Sequence, residues 1–174
     1  MITIIENQKE KKVTYEQLLS AHHGEMVCGV SLAYRLLSEL SPIHSGPVYF
    51  YNGVGDNAEG VNDSVKYIFQ KHLTLDLDKE KCATKKALAA PNGGKYYFQL
   101  ISDYCCIEAM LVEGALSIEF MNLSHQVKQL GKDCPKALHQ KLLDVRQAQA
   151  DKLQALPFDQ IFSIHNISPK ESLQ

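Results

Sequence analysis

Tyr96-Tyr-Phe-Gln-Leu-Ile101, Ile107-Glu-Ala-Met-Leu-Val112 and Leu116-Ser-Ile-Glu-Phe-Met121 decide the fold class. All three runs are dense in aromatic and aliphatic residues, and the connectors between them are too short to hold a crossover helix. Strands joined this closely pair antiparallel. Glu113-Gly114 reads as a hairpin turn between the last two runs, and Asn92-Gly93-Gly94 as the turn before the first. Upstream, Val48-Tyr-Phe-Tyr51 stands between Gly46-Pro47 and Asn52-Gly53 and reads as a buried strand. Residues 73–93 are ambiguous, with one strand expected around Leu73–Leu77 and another around Cys82–Leu88. Asp159–Ile167 closes the fold as a strand.

Helical spacing takes over elsewhere. Thr14-Tyr-Glu-Gln17 has the form of a capping box, in which the Thr14 hydroxyl accepts the Gln17 amide and Gln17 reaches back. From Gly29, the residues Val30, Ala33, Leu37 and Leu40 recur at three- and four-residue intervals until Ser41-Pro42 stops them. Val61, Val65, Ile68, Phe69 and His72 make a second stripe. Pro135 to Leu156 reads as a long amphipathic helix with Leu138, Leu142, Val145 and Leu156 inward, capped by Asp133 and stopped at Pro157. Residues 1–13 read as a short apolar stretch and a solvated lead-in carrying Lys9-Glu-Lys-Lys12. The mixture predicts an α+β fold: a mixed, mainly antiparallel sheet with helices packed on one face. Residues 1–167 are expected as one domain and 168–174 as a C-terminal tail.

Composition narrows the function. The 174 residues carry 18 basic and 20 acidic side chains, a formal charge of −2, which argues against a broad basic nucleic-acid surface. No apolar run approaches the roughly 20 residues of a membrane helix. Met1-Ile-Thr-Ile-Ile-Glu-Asn7 turns polar too early for a signal peptide, so a cytoplasmic location is expected. Five cysteines, none in a Cys-x-x-Cys pair, suit reduced thiols buried as small hydrophobes.

The chemistry-bearing stretch is His22-His-Gly-Glu-Met-Val-Cys-Gly29. It sets imidazole, carboxylate and thiol at the mouth of a helix, a donor set that suits zinc or a similar divalent metal. The alternative is two solvent-facing histidines and a buried cysteine. The helix dipole would favour a Cys28 thiolate. Gly53-Val-Gly-Asp-Asn-Ala-Glu-Gly60 follows a strand and precedes a helix. It lacks the dinucleotide and phosphate-loop spacings, and reads either as a connecting loop or as a site for a cation or polar ligand. Asp56, Asn57 and Asp63 are its binding candidates. His125, His139 and His165 stand singly and need no function.

His23-Gly-Glu-Met-Val-Cys-Gly-Val-Ser-Leu-Ala-Tyr-Arg35 resembles the opening of the FmdE family, which takes its name from formylmethanofuran dehydrogenase and typically reads His-Gly-His-x-Cys-Pro-Gly-x-x-x-Gly-x-Arg. The ungapped match keeps His23, Gly24, Gly29 and Arg35. Asp63 stands on the aspartate of the family's Asp-Ala-Ile-Gln helix start. Leu143 to Phe162 is similar to its terminal helix and Pro-x-x-x-Leu/Ile-Phe exit. Two departures bear on a metal: Glu25 replaces the family's second histidine, and Val27 its cysteine, with Cys28 one place on. Lys71 falls where a second cysteine stands, beside His72.

The resemblance implies the αβαβ-type domain shared with the catalytic domain of glyceraldehyde-3-phosphate dehydrogenase, and a homodimer. It implies a divalent metal such as zinc, held by His23, Glu25, Cys28 and His72 in an accessory protein. Two other readings stand beside this one. The chain is either a metal-free enzyme or enzyme subunit holding a small organic cofactor in the same cleft, or a degenerate homologue kept for packing or partner contacts.

Overall fold

The computed structural model describes residues 1–168 and 171–173. Of the expected tail, Pro169, Lys170 and Gln174 lie outside the described residues. The chain is α+β, with eight strands in two sheets among the described residues.

Strands β1 (Ile2–Glu6) and β2 (Lys9–Val13) form a hairpin, and β3 (Ile43–His44) joins β1 in parallel. The N-terminal lead-in is therefore sheet and not an unstructured approach. Its lysines are solvent-facing as expected, while Ile2, Ile4 and Val13 are buried on the inner side. Period-2 alternation confined to one face accounts for both facts.

The larger sheet contains β4 (Val48–Asn52), β5 (Leu73–Asp76), β6 (Tyr97–Ile101), β7 (Cys106–Leu111) and β8 (Phe162–Asn166) in the order β5-β4-β6-β7-β8. Only β4 and β5 run parallel; every other pair is antiparallel. Phe50 stands opposite Leu100 and Phe98 opposite Ala109 on the helix-covered face. Tyr49, Tyr51, Tyr97 and Gln99 line the other face. Their polar ends are satisfied there: Tyr49 Oη donates to Asp76 Oδ2 at 2.8 Å, Tyr51 Oη to the Asp78 carbonyl at 2.7 Å and Tyr97 Oη to Glu108 Oε2 at 2.6 Å. A hydroxyl at the end of a large apolar ring is buried at low cost only with such a partner.

Helices α1 (Tyr15–Ala21), α2 (Val27–Glu39), α3 (Glu59–Phe69) and α5 (Lys136–Ala155) cover the first face, with α4 (Ile118–Leu130) packed on α5. The Thr14–Gln17 capping box opens α1. Arg35 closes α5, its guanidinium donating to the carbonyls of Gln154 at 2.7 Å and Leu156 at 2.8 Å.

Three expectations are corrected. Leu116–Met121 is no strand, because Ser117 caps a helix by accepting the Phe120 amide at 3.1 Å and Phe120 and Leu123 repeat inward at helical spacing. β7 therefore pairs with β8 rather than in a hairpin at Glu113-Gly114. Cys82–Leu88 holds no strand either, since the Asp78 side chain accepts the Glu80 amide and starts a 3-10 turn over Lys79–Cys82. Asp133 does not cap α5; Pro135 stands at that position without a side-chain cap.

α2 and α3 touch backbone to backbone where Gly29 meets Gly60. A Cβ on Gly60 would lie 2.2 Å from the Met26 carbonyl oxygen and 2.8 Å from the Val30 nitrogen; one on Gly29 would lie 3.0 Å from the Val61 nitrogen. Behind this contact a buried amide pair ties β4 to α3. Asn52 Nδ2 donates to Asn62 Oδ1 at 2.7 Å, and Asn62 Nδ2 to the Gly55 carbonyl at 3.1 Å. Gly60→Ala should lower thermal stability even though alanine is the better helix former by up to about 1 kcal/mol. The steric cost of forcing two backbones apart is about 2–3 kcal/mol, so the net loss is about 1–2 kcal/mol, or roughly 2–8 °C in melting temperature. Calorimetry showing an unchanged or higher melting temperature would contradict the close contact.

Candidate functional site

α1 ends at Ala21, and the chain must turn before α2 begins at Val27. His22 fixes that turn. It lies four residues after the fully buried Leu18, hence on the same helix face, and only 5% of its surface is exposed. The Met26 amide donates to His22 Nε2 at 3.1 Å, so Nδ1 carries the hydrogen and donates to Asp63 Oδ2 at 2.8 Å. One neutral imidazole thus holds the α1–α2 loop against α3. Gly24 is needed beside it, because a Cβ there would lie 2.9 Å from the His22 ring.

With α3 drawn up this way, the N-terminal ends of α2 and α3 border one small pocket of about 50 Å³. Its walls are mostly apolar, from Leu32, Val54, Val61, Phe98 and Phe120, with Tyr96, Asn57, Cys28 and Arg146 supplying polar groups. Neither helix has a side-chain cap, so the positive ends of both dipoles stand over the opening. Asn57 is oriented by donating to the Asn92 carbonyl at 3.0 Å. Burial pushes the Tyr96 phenol well above its ordinary range.

Arg146 reaches the pocket from the inward stripe of α5, between Leu142 and Ala150. Its side chain is 9% exposed. Nη1 donates to Glu25 Oε2 at 3.2 Å, and Glu25 Oε1 in turn meets His139 Nε2 at 3.0 Å. Nε has no hydrogen-bond partner. Burial pulls the guanidinium down from its usual value and the Glu25 carboxylate pushes it back, leaving arginine a cation.

The proposed metal donors are not brought together. His23 is exposed, whereas its neighbour His22 is the buried one. Glu25 has both oxygens engaged, by Arg146 and His139. Cys28 does line the pocket, but burial pushes its thiol up to about 12, against a smaller opposing effect of Arg146. The thiolate expected from the helix dipole is thus corrected: desolvation outweighs the dipole. His72 stands beyond the far end of α3, about 15 Å along the helix from the pocket by its rise per residue. Among the described residues no three His, Cys, Asp or Glu side chains form a group that could hold a metal ion. The donor set implied by the resemblance does not fit the metal.

Of the loop candidates, Asn57 faces the pocket as expected. Asp56 is exposed, and Asp63 is turned to His22. Sequence reasoning misses His22, Arg146 and His139 as site residues. Helical arithmetic finds two of them: His22 follows Leu18 by four, and Arg146 follows Leu142 by four. His139 carries no signal, because its partner Glu25 is remote in sequence. No protein-family model matches the chain, and no curated protein matches it. No helix among the described residues is long and apolar enough to cross a membrane.

Cys28 and Cys82 are buried, whereas Cys105, Cys106 and Cys134 are partly exposed. Iodoacetamide applied to the native protein at pH 8 should therefore label the latter three first, as read by peptide mass spectrometry. A Cys28 that labels fastest would refute its burial as a neutral thiol.

Proposed function

We propose that this chain is an FmdE-like protein that works without a resident metal, as an enzyme or enzyme subunit holding a small organic molecule between the His-Gly loop and the start of α3. One observation carries the reading: the mostly apolar pocket at the meeting of two uncapped helix N-termini, with a few polar groups converging on it. Such a combination buries an organic body and orients it by a small number of directed bonds.

Three contacts support the family part of the reading. The segments that carry the resemblance meet in space: Gly29 against Gly60, the His-Gly loop tied through His22 to Asp63, and Arg35 on the carbonyls just before the Pro157 exit. Under this reading the chain acts as a cytoplasmic homodimer, which light scattering on the purified protein tests directly.

The functional reading is tested by pairing elemental analysis of untagged protein with a melting screen against small organic molecules. A substoichiometric transition-metal content is expected. A ligand at a hundredfold excess over its dissociation constant should contribute about 2.7 kcal/mol, a rise in melting temperature of roughly 5–10 °C. One equivalent of bound zinc, with a fall in melting temperature on chelation, would instead restore the metal reading.

A further inference from the structure

The helices leave the second face of the larger sheet to other cover. Cys82, at the end of the 3-10 turn, packs there with Tyr49, Tyr51 and Tyr97, and Leu173 packs against this cluster. β6 carries an anomaly on that face. Gln99 stands between Phe98 and Leu100 in a run of aromatic and aliphatic residues, and none of its surface is exposed. A buried amide is tolerated only when its donors and its acceptor are met. One Gln99 hydrogen goes to Tyr97 Oη at 2.8 Å. The rest of the amide meets main chain remote in sequence: Nε2 donates to the Glu171 carbonyl at 3.3 Å, and Oε1 accepts from the Leu173 amide at 2.9 Å. In a parallel ladder a residue bonds the carbonyl and the amide that flank the residue opposite. Gln99 does the same around Ser172, with its side chain in place of a backbone. Period-2 alternation puts Cys106, Glu108 and Met110 on this same face of β7. Lys85, paired with Glu108 at 3.4 Å, is close enough for its charge to act on Glu171, and Glu171 is close enough to act on Cys106.

We infer that this face is a docking groove for an extended peptide segment with a leucine two residues after an acidic residue, and that residues 171–173 fill it as a displaceable intramolecular strap. Gln99 reads the main chain, the tyrosine cluster takes the leucine, and Lys85 favours the acid. Main-chain bonds supply affinity and side-chain contacts supply selectivity, the general logic of peptide recognition on a sheet. Glutamine in the middle of an apolar strand is thereby explained, because a peptide group needs one donor and one acceptor side by side. The strap is lightly held: two hydrogen bonds to one side chain and a half-buried Leu173, with Glu171 exposed. So few contacts allow it to open locally while the sheet stays folded.

The test uses the full chain and a fluorescein-labelled synthetic peptide of residues 168–174, read by anisotropy. Leu173→Asp ejects the strap, because a carboxylate is not buried among tyrosine rings. The peptide should bind this variant about tenfold or more tighter than the wild-type protein, where the tethered strap competes at high effective concentration. Adding Gln99→Leu, which keeps the strand apolar, should abolish that binding. A peptide N-methylated at its leucine removes the same hydrogen bond from the ligand side without altering the protein, and should not bind Leu173→Asp either. Wild-type protein that binds the peptide as tightly as Leu173→Asp would show that the strap does not hold the groove. Leu173→Asp protein that fails to bind it would show that there is no groove. Either result overturns the proposal, and so does unimpaired binding of the N-methylated peptide. A wild-type dimer that Leu173→Asp dissociates would put the segment of a second copy in the groove, and would overturn the intramolecular strap.

Discussion

The contact between Gly29 and Gly60 is the constraint on which the rest of the site depends. Two helices normally stand 8–10 Å apart, separated by their side chains. Here the absence of two Cβ atoms lets the backbones meet near their N-terminal ends, which brings the starts of α2 and α3 to one place. Asp63, one turn into α3, is thereby presented to His22, and His22 in turn holds Met26 at the start of α2. The Asn52–Asn62 amide pair fixes α3 to the sheet from below. Glycine contact, imidazole staple and amide pair act on the same junction from three sides. They leave between the helices and β6 a gap that no side chain fills.

Into that gap the longest helix inserts a charge. A guanidinium in an apolar setting costs several kcal/mol in lost hydration, and its pairing with a half-exposed carboxylate returns only part of that. Stability therefore does not explain Arg146. The opposite face of the sheet gives the contrast. There Tyr49, Tyr51, Tyr97 and Gln99 are equally deep, but each polar end meets a partner, and the charged residues Asp76, Lys81, Lys85 and Glu108 are paired with one another. One face satisfies its polar groups, whereas on the other Arg146 Nε is buried without a partner.

Much of the architecture is legible in the linear chain because it rests on short-range physics. The capping box at Thr14, the buried run Val48–Tyr51 and the antiparallel pair Tyr97–Ile101 and Cys106–Leu111 follow from local pattern. The segment Leu116–Met121 misleads because its β-forming content is high, and one capping hydroxyl at Ser117 tips it into a helix. The site is harder to read. His23 carries the motif resemblance, but helical phase turns His22 inward instead, and Cys28 is governed by desolvation rather than by its place at a helix start. Arg146 interrupts an apolar stripe, which is a visible signal. Its pairing with Glu25 joins residues more than a hundred positions apart, so nothing local announces it.

A crystal structure of the untagged protein, its crystals soaked with a set of small organic molecules, examines the central claim most directly. The account predicts an organic molecule with its apolar body between Val61 and Phe98, no metal ion at His23, Glu25 or Cys28, and Gly29 and Gly60 still in backbone contact. Molecules bound only outside the cleft, or a metal ion coordinated by His23, Glu25 and Cys28, would contradict it.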